Sequence, residues 1–172
     1  MFLNGLKTKS IIRKLKNEVA SRTYVPSGTP IRSIGILQEE AVPFDKKNRE
    51  QLAKVLGIQE KDIEILTYVT TLSKDQKEVE GTYSVKSIGW NGIAKTASLK
   101  TFIAKDFDIL LSYYTEDRLP LRWVSGLSKA TFKVGLIKEE ESLHDLVITT
   151  ATGEETVFIN ELEKYLRILK IL

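Results

Sequence analysis

Cysteine is absent from the chain, which excludes disulfide staples, thiolate metal ligands and thiol nucleophiles. Histidine occurs once, at His144, so no histidine cluster is available to hold a metal. No serine sits in a nucleophile-elbow pattern, and neither GxGxxG nor GxxxxGK followed by Ser or Thr occurs. The carboxylates are scattered, and no metal or cofactor is expected. Long apolar runs are missing too: none approaches the roughly 20 residues that cross a bilayer. The first residues, MFLNGLKTKSIIRKLK, lack the uninterrupted apolar core and small-residue cleavage site of a secretory signal. Neither a fixed-period repeat nor a low-complexity tract is present. These absences make the cytoplasm the default expectation.

What is present suits one ordinary domain. In 172 residues, 42% are hydrophobic and 28% charged, the balance of a globular chain with enough apolar mass for a core. The net charge of +3 is unevenly spread. Residues 1–32 carry seven Lys or Arg (Lys7, Lys9, Arg13, Lys14, Lys16, Arg22, Arg32) against one acid, Glu18. The rest holds 19 basic and 22 acidic residues, a mildly acidic body behind a basic front end.

Residues 6–22 read as a basic amphipathic helix, with Ile12, Leu15 and Val19 at helical steps. Two uses compete: contact with an anionic membrane surface or nucleic acid phosphates through residues 1–22, or packing on the domain with a solvated basic face. The stripe is narrow and has no tryptophan, so packing is favoured. A Pro/Gly connector follows over residues 23–30, and a single domain is expected from 31 to 172. Residues 31–37 read as a first strand. Asp45 caps a helix bearing Leu52, Val55 and Leu56 and stopped by Gly57, and residues 62–70 make a second strand. Residues 72–81 read as a charged connector and 82–90 as a further strand. Asn91-Gly92 marks a turn, and Ser98 is the expected cap of a short helix with Leu99, Phe102 and Ile103.

Residues 107–137 organise the whole. Ile109, Leu110 and Leu111 are consecutive and apolar, as in a strand covered on both faces. Asp117 and Pro120 suit the start of a crossover helix that buries Trp123, Val124, Leu127 and Ala130, and residues 133–137 form the strand it returns to. An acidic turn at Glu139-Glu140-Glu141, a strand over 143–150 and a helix over 154–169 complete the chain. The expected face of that last helix is Phe158, Leu162, Tyr165 and Leu169, with Ile159 and Leu166 beside it. The alternation predicts an α/β fold: a three-layer, mostly parallel, Rossmann- or flavodoxin-like sheet preceded by the basic helix. The segments near residues 34, 65 and 110 are expected side by side and parallel.

Ligands of open α/β sheets bind outside the C-terminal strand ends. The candidate ligand-binding residues are therefore Tyr113, Tyr114, Thr115 and Arg118 after one strand, and Thr150, Thr152 and Gly153 after another. The loop after Leu37, with Gln38, Glu39 and Glu40, adjoins them. Hydroxyls and backbone N–H groups in residues 149–153 suit a phosphate, although an ordinary loop with Thr152 as helix cap has the same composition. His144 beside Asp145 is no acid–base pair, because neighbours on a strand point to opposite faces. No catalytic residue is assigned. Trp90 is either an exposed partner contact or core filler.

The stretch FDILLSYYTEDRLPLRWVSGLSKATFKVGL, with IRSIGIL upstream and Ser87-Ile88-Gly89-Trp90 between, resembles a domain-of-unknown-function family of small Bacteroidetes proteins. Locally, Phe107-Asp108 leading through a helix to Val134-Gly135 is similar to the acceptor-side half of heptosyltransferase-type glycosyltransferases. The first resemblance implies no activity, and the second brings no catalytic acid. The leading expectation is a non-catalytic binding or scaffolding module for a protein partner or small anionic ligand. The alternative is a small nucleotide- or sugar-phosphate-binding transferase-like enzyme using the strand-end loops.

Overall fold

Three apolar strands lie at the centre of the sheet and run the same way: β1 (Ile34–Glu39), β2 (Ile63–Tyr68) and β4 (Ile109–Tyr113). Ile36 of β1 faces Ile65 on one side and Leu111 on the other. The computed structural model describes residues 2–24, 28–70, 79–137 and 142–172, with side chains from Gly5 onward. Around the central strands are β3 (Thr82–Tyr83), β5 (Phe132–Gly135) and β6 (Leu146–Val147), in the order β3-β2-β1-β4-β5-β6, every pairing parallel. This is the strand order of doubly wound α/β domains.

Five helices cover the sheet: α1 (Phe2–Ser21), α2 (Lys46–Leu56), α3 (Ala97–Ala104), α4 (Leu119–Leu127) and α5 (Glu155–Ile168). Right-handed crossovers that travel in opposite directions from the centre must place their helices on opposite faces. The core divides accordingly. Ile34, Ile36, Ile109, Leu111, Phe132 and Val134 meet α2 and α5. Leu37, Leu66 and Leu110 meet α1, α3 and α4. Because β1 and β4 are buried on both faces, their apolar residues are continuous rather than alternating.

Local chemistry sets the boundaries. Asp45 accepts from the Asn48 N–H at 2.8 Å and starts α2, while Gly57 closes it with a left-handed φ of 69°. α1 lies on α4, with Ile11 and Leu15 buried against it and Val19 at the margin, so its apolar stripe packs on the domain while Lys9, Arg13 and Lys16 stay exposed. Gly126 makes that approach possible: a Cβ there would run into Leu15 Cδ1. Gly126→Ala is expected to lower stability by about 1–2 kcal/mol, measured by denaturant unfolding. An unchanged midpoint would mean that Leu15 repacks without strain.

Several expectations shift. The strand expected over 82–90 stops at Tyr83. A 3₁₀ turn, Val85–Ser87, follows, nucleated by Ser84 accepting from the Lys86 N–H, and then an antiparallel bridge joins Ile88 to Ala94 around the Asn91-Gly92 turn. Thr96, not Ser98, precedes α3, and Arg118, not Asp117, precedes α4; Asp117 instead pairs with Arg122 at 2.9 Å. The strand expected over 143–150 shrinks to the two residues of β6. α5 buries Phe158, Ile159, Leu162 and Leu166, leaving Tyr165 and Leu169 on its outer side. Ala130 is buried but lies beyond the end of α4. Most of the charged connector and all of the acidic turn at 139–141 lie outside the described residues.

Candidate functional site

The topology reverses between β1 and β4, and the crevice at their C-terminal ends is where this architecture usually holds a ligand. Among the described residues, internal bonds take up the polar groups at the ends of β1 and β4. The buried Glu39 carboxylate accepts from the Thr115 N–H at 2.7 Å and the Thr115 hydroxyl at 2.8 Å. Gln38 beside it accepts from the Phe44 N–H at 2.8 Å and donates to Thr67 at 3.0 Å. Of the polar groups that a sequence reading offers to a ligand, Gln38, Glu39 and Thr115 already have partners within the fold.

The candidate residues therefore take separate places. Tyr113 and Tyr114 are both fully buried, on opposite faces of β4. Tyr113 packs edge-on between Phe44 and Phe158 and donates to Glu155 in the first turn of α5, at 3.0 Å. Burial, then the bond to the Glu155 carboxylate, pushes its phenol well above the ordinary range. Tyr114 hydrogen-bonds Ser125 Oγ at 3.2 Å. Arg118 stands before α4, partly exposed, paired with Glu116. Thr152 and Gly153 are exposed in the loop before α5. The Thr150 hydroxyl is buried with no hydrogen-bond partner among the described residues. The bond from Tyr113 to Glu155 joins the β4 end to the start of α5.

A second, denser polar cluster lies under α4. Ser125 Oγ hydrogen-bonds Ser112 Oγ at 2.7 Å as well as Tyr114. Lys133, wholly buried in β5, donates from Nζ to the carbonyls of Ser125 at 2.6 Å and Gly126 at 3.2 Å, carbonyls that the end of α4 leaves without helical partners. Burial first, with Arg22 and Lys129 beside it, lowers its pKa to about 7, against the raising effect of Asp145 and Glu18. Asp145 takes both arms of the Arg22 guanidinium, at 2.8 and 2.6 Å, and accepts the Lys133 backbone N–H at 2.8 Å. Arg22 also donates to the Thr131 carbonyl at 3.1 Å. Beside the cluster opens a cavity of about 380 Å³, whose lining includes Glu18, Arg22, Gly126, Lys129 and Thr131. It sits at the C-terminal ends of α1 and α4, the opposite end of the sheet from the expected rim. Chemically, this is a buried amine held beside a bidentate ion pair.

Sequence reasoning passed over Lys133, Arg22 and Asp145 as a group. One signal was available: in Phe132-Lys133-Val134 a lysine interrupts a parallel strand covered on both faces, and such a lysine needs acceptors. His144 and Asp145 precede β6 rather than lying within a strand, and their side chains diverge. The His144 ring lies where a Cβ on Gly135 would be, while Asp145 turns to Arg22. Among the described residues no group of three or more His, Cys, Asp or Glu is placed to hold a metal ion, and no helix is long and apolar enough to cross a membrane.

The chain is thus a three-layer α/β domain on an all-parallel six-stranded sheet. Over residues 7–169 it matches a profile described as "Family of unknown function (DUF6913)", and it belongs to that family. Neither a curated protein nor a solved structure matches it at a significant level.

Proposed function

We propose that this domain is a non-catalytic binding or scaffolding module that works through its outer surface. The observation that carries the reading is the internal bonding at the switch point, where Glu39 is bonded to Thr115 and the neighbouring Gln38 to Phe44 and Thr67. A ligand entering there would first have to break two bonds to a buried carboxylate, and bonds to charged groups contribute roughly 1.5–3 kcal/mol each. The tyrosines nearest the crevice are tied into the core, and burial with the Glu155 bond raises the pKa of Tyr113, which disfavours its phenolate and so a general-base role at neutral pH.

A transferase-like enzyme for nucleotides or sugar phosphates, the second reading, draws on the orphaned Thr150 hydroxyl and on Arg118 near the strand ends. A thermal-shift panel of nucleotides, sugar phosphates and common metabolites separates the two, since a specific ligand raises apparent stability by mass action. Silence across the panel is the expected result. A rise of several degrees with one nucleotide or sugar phosphate, abolished by Thr115→Val or Thr150→Val, would overturn the module in favour of the enzyme.

A further inference from the structure

From Gly81 to Lys105 the chain contains no acid and four lysines, and from Gly5 to Asn17 it contains five cations and no acid. The fold brings these two stretches together. Lys7 Nζ donates to the Val85 carbonyl at 2.8 Å, and the backbone at Gly92 lies against Ile11, Ser10 and the Lys14 side chain. Lys95 Nζ donates to the Lys86 carbonyl at 3.1 Å. Among the described residues, none of Lys7, Lys14, Lys86 and Lys95, the cations at this junction, is paired with a carboxylate. Burial, and after it the nearby Lys95 charge, lower the pKa of Lys7.

Apolar side chains stand exposed on the same segments: Leu6 is 60% exposed, Trp90 50%, Ile93 47% and Val85 45%. A cavity of about 350 Å³ opens beside them, lined by Lys7, Thr8, Ile11, Val85, Lys86, Leu119 and Pro120. The narrow stripe of α1 contains no tryptophan, but the turn beside it supplies Trp90.

Resting on the outer-surface reading above and naming its partner, we infer that this face docks on an anionic lipid surface. A bilayer is the partner that uses both halves of the chemistry. Phosphate headgroups take the unpaired cations, while the headgroup boundary takes an amphipathic indole and isolated aliphatics. A nucleic acid backbone would use the cations and leave Leu6, Val85 and Ile93 without a role. Trp123 is wholly buried, so Trp90 is the indole whose fluorescence reports on this face.

The full chain, incubated with vesicles of phosphatidylcholine plus phosphatidylglycerol and with phosphatidylcholine alone, is expected to sediment with the anionic vesicles at low salt. Binding weakens at high salt, and Trp90 emission shifts to the blue. Lys14→Ala is expected to weaken binding about fivefold. Trp90→Ala should abolish the spectral shift and weaken binding further. Both substitutions are on the surface, and circular dichroism checks that the variants are folded. The proposal is overturned if the folded protein ignores anionic vesicles at low salt, or binds neutral vesicles equally. It is also overturned if the protein binds duplex DNA with no shift of Trp90 while leaving vesicles alone. Any of these outcomes removes the lipid partner without touching the module reading, which a strand-end ligand alone would sink.

Discussion

Asp145→Ala is expected to lower the unfolding free energy by about 3 kcal/mol, the range for removing one partner of a largely buried ion pair. Asp145 and Arg22 are only 13% and 22% exposed at their side chains, so water replaces little of what is lost. The carboxylate does three things at once. It accepts both arms of the guanidinium, it accepts the Lys133 N–H at the sheet's margin, and its charge favours the protonated form of the Lys133 amine. Since Arg22 follows the last turn of α1 and Asp145 precedes β6, the pair ties the N-terminal helix to the far edge of the sheet. Without it the guanidinium keeps one bond, to the Thr131 carbonyl, and no counter-charge. Asp145→Asn keeps an acceptor for part of the network and should recover about half of the loss. Guanidinium chloride unfolding at neutral pH measures both variants. An alanine variant within about 0.5 kcal/mol of the parent would place the pair among surface ion pairs of no consequence.

The sheet was legible because its strands are made of residues with no other use. Ile109-Leu110-Leu111 has no polar alternation, which only a strand covered on both faces tolerates, and that implied parallel neighbours and helices on each side. α2 was legible through paired punctuation, Asp45 at one end and Gly57 at the other. The edges were not. β3 and β6 are two residues each, too short for any periodicity, and their β-prone sequence continues into turns where Ser84 and the Ile88–Ala94 bridge decide the path. The last helix was placed well and rotated slightly wrong: Tyr165 and Leu169 fit the period as well as Leu166 does, and only contact with α2 and the sheet decides between them. The residues after β1 and β4 do meet at the strand ends, but sequence carries no record of which polar side chain bonds which. That Glu39 turns onto Thr115 depends on register, since Gln38 is level with Tyr113 and the next residue overhangs β4. The Arg22, Lys133 and Asp145 cluster draws on three segments up to 123 residues apart, and no local pattern announces it.

Lys133 makes stability rise with pH, as a paired carboxylate does, but in a window above neutral rather than an acidic one. In the unfolded chain its amine stays protonated up to about 10.4; in the fold burial first, then Arg22 and Lys129, bring it down to about 7. Below pH 7 both states hold the proton, and the folded state bears the full penalty of a buried ammonium. Above pH 7 the folded protein releases the proton while the unfolded chain keeps it, so the unfolded state binds more protons and stability rises with pH. Between pH 7 and 9 the gain is about 2 kcal/mol. A neutral amine also fits the geometry, because its two N–H bonds match the two carbonyls of Ser125 and Gly126 and leave no third proton without an acceptor. Lys133→Met keeps the length and apolar stem, discards the titration, and leaves the two carbonyls to the end of α4 alone. The methionine variant should therefore be nearly as stable as the parent at pH 6, and fall behind it by about 2 kcal/mol at pH 9. Urea unfolding at several pH values from 6 to 9, on both proteins, yields the difference directly. A parent curve flat across that window, or a variant that rises in parallel with it, would show that the amine keeps its charge in the fold.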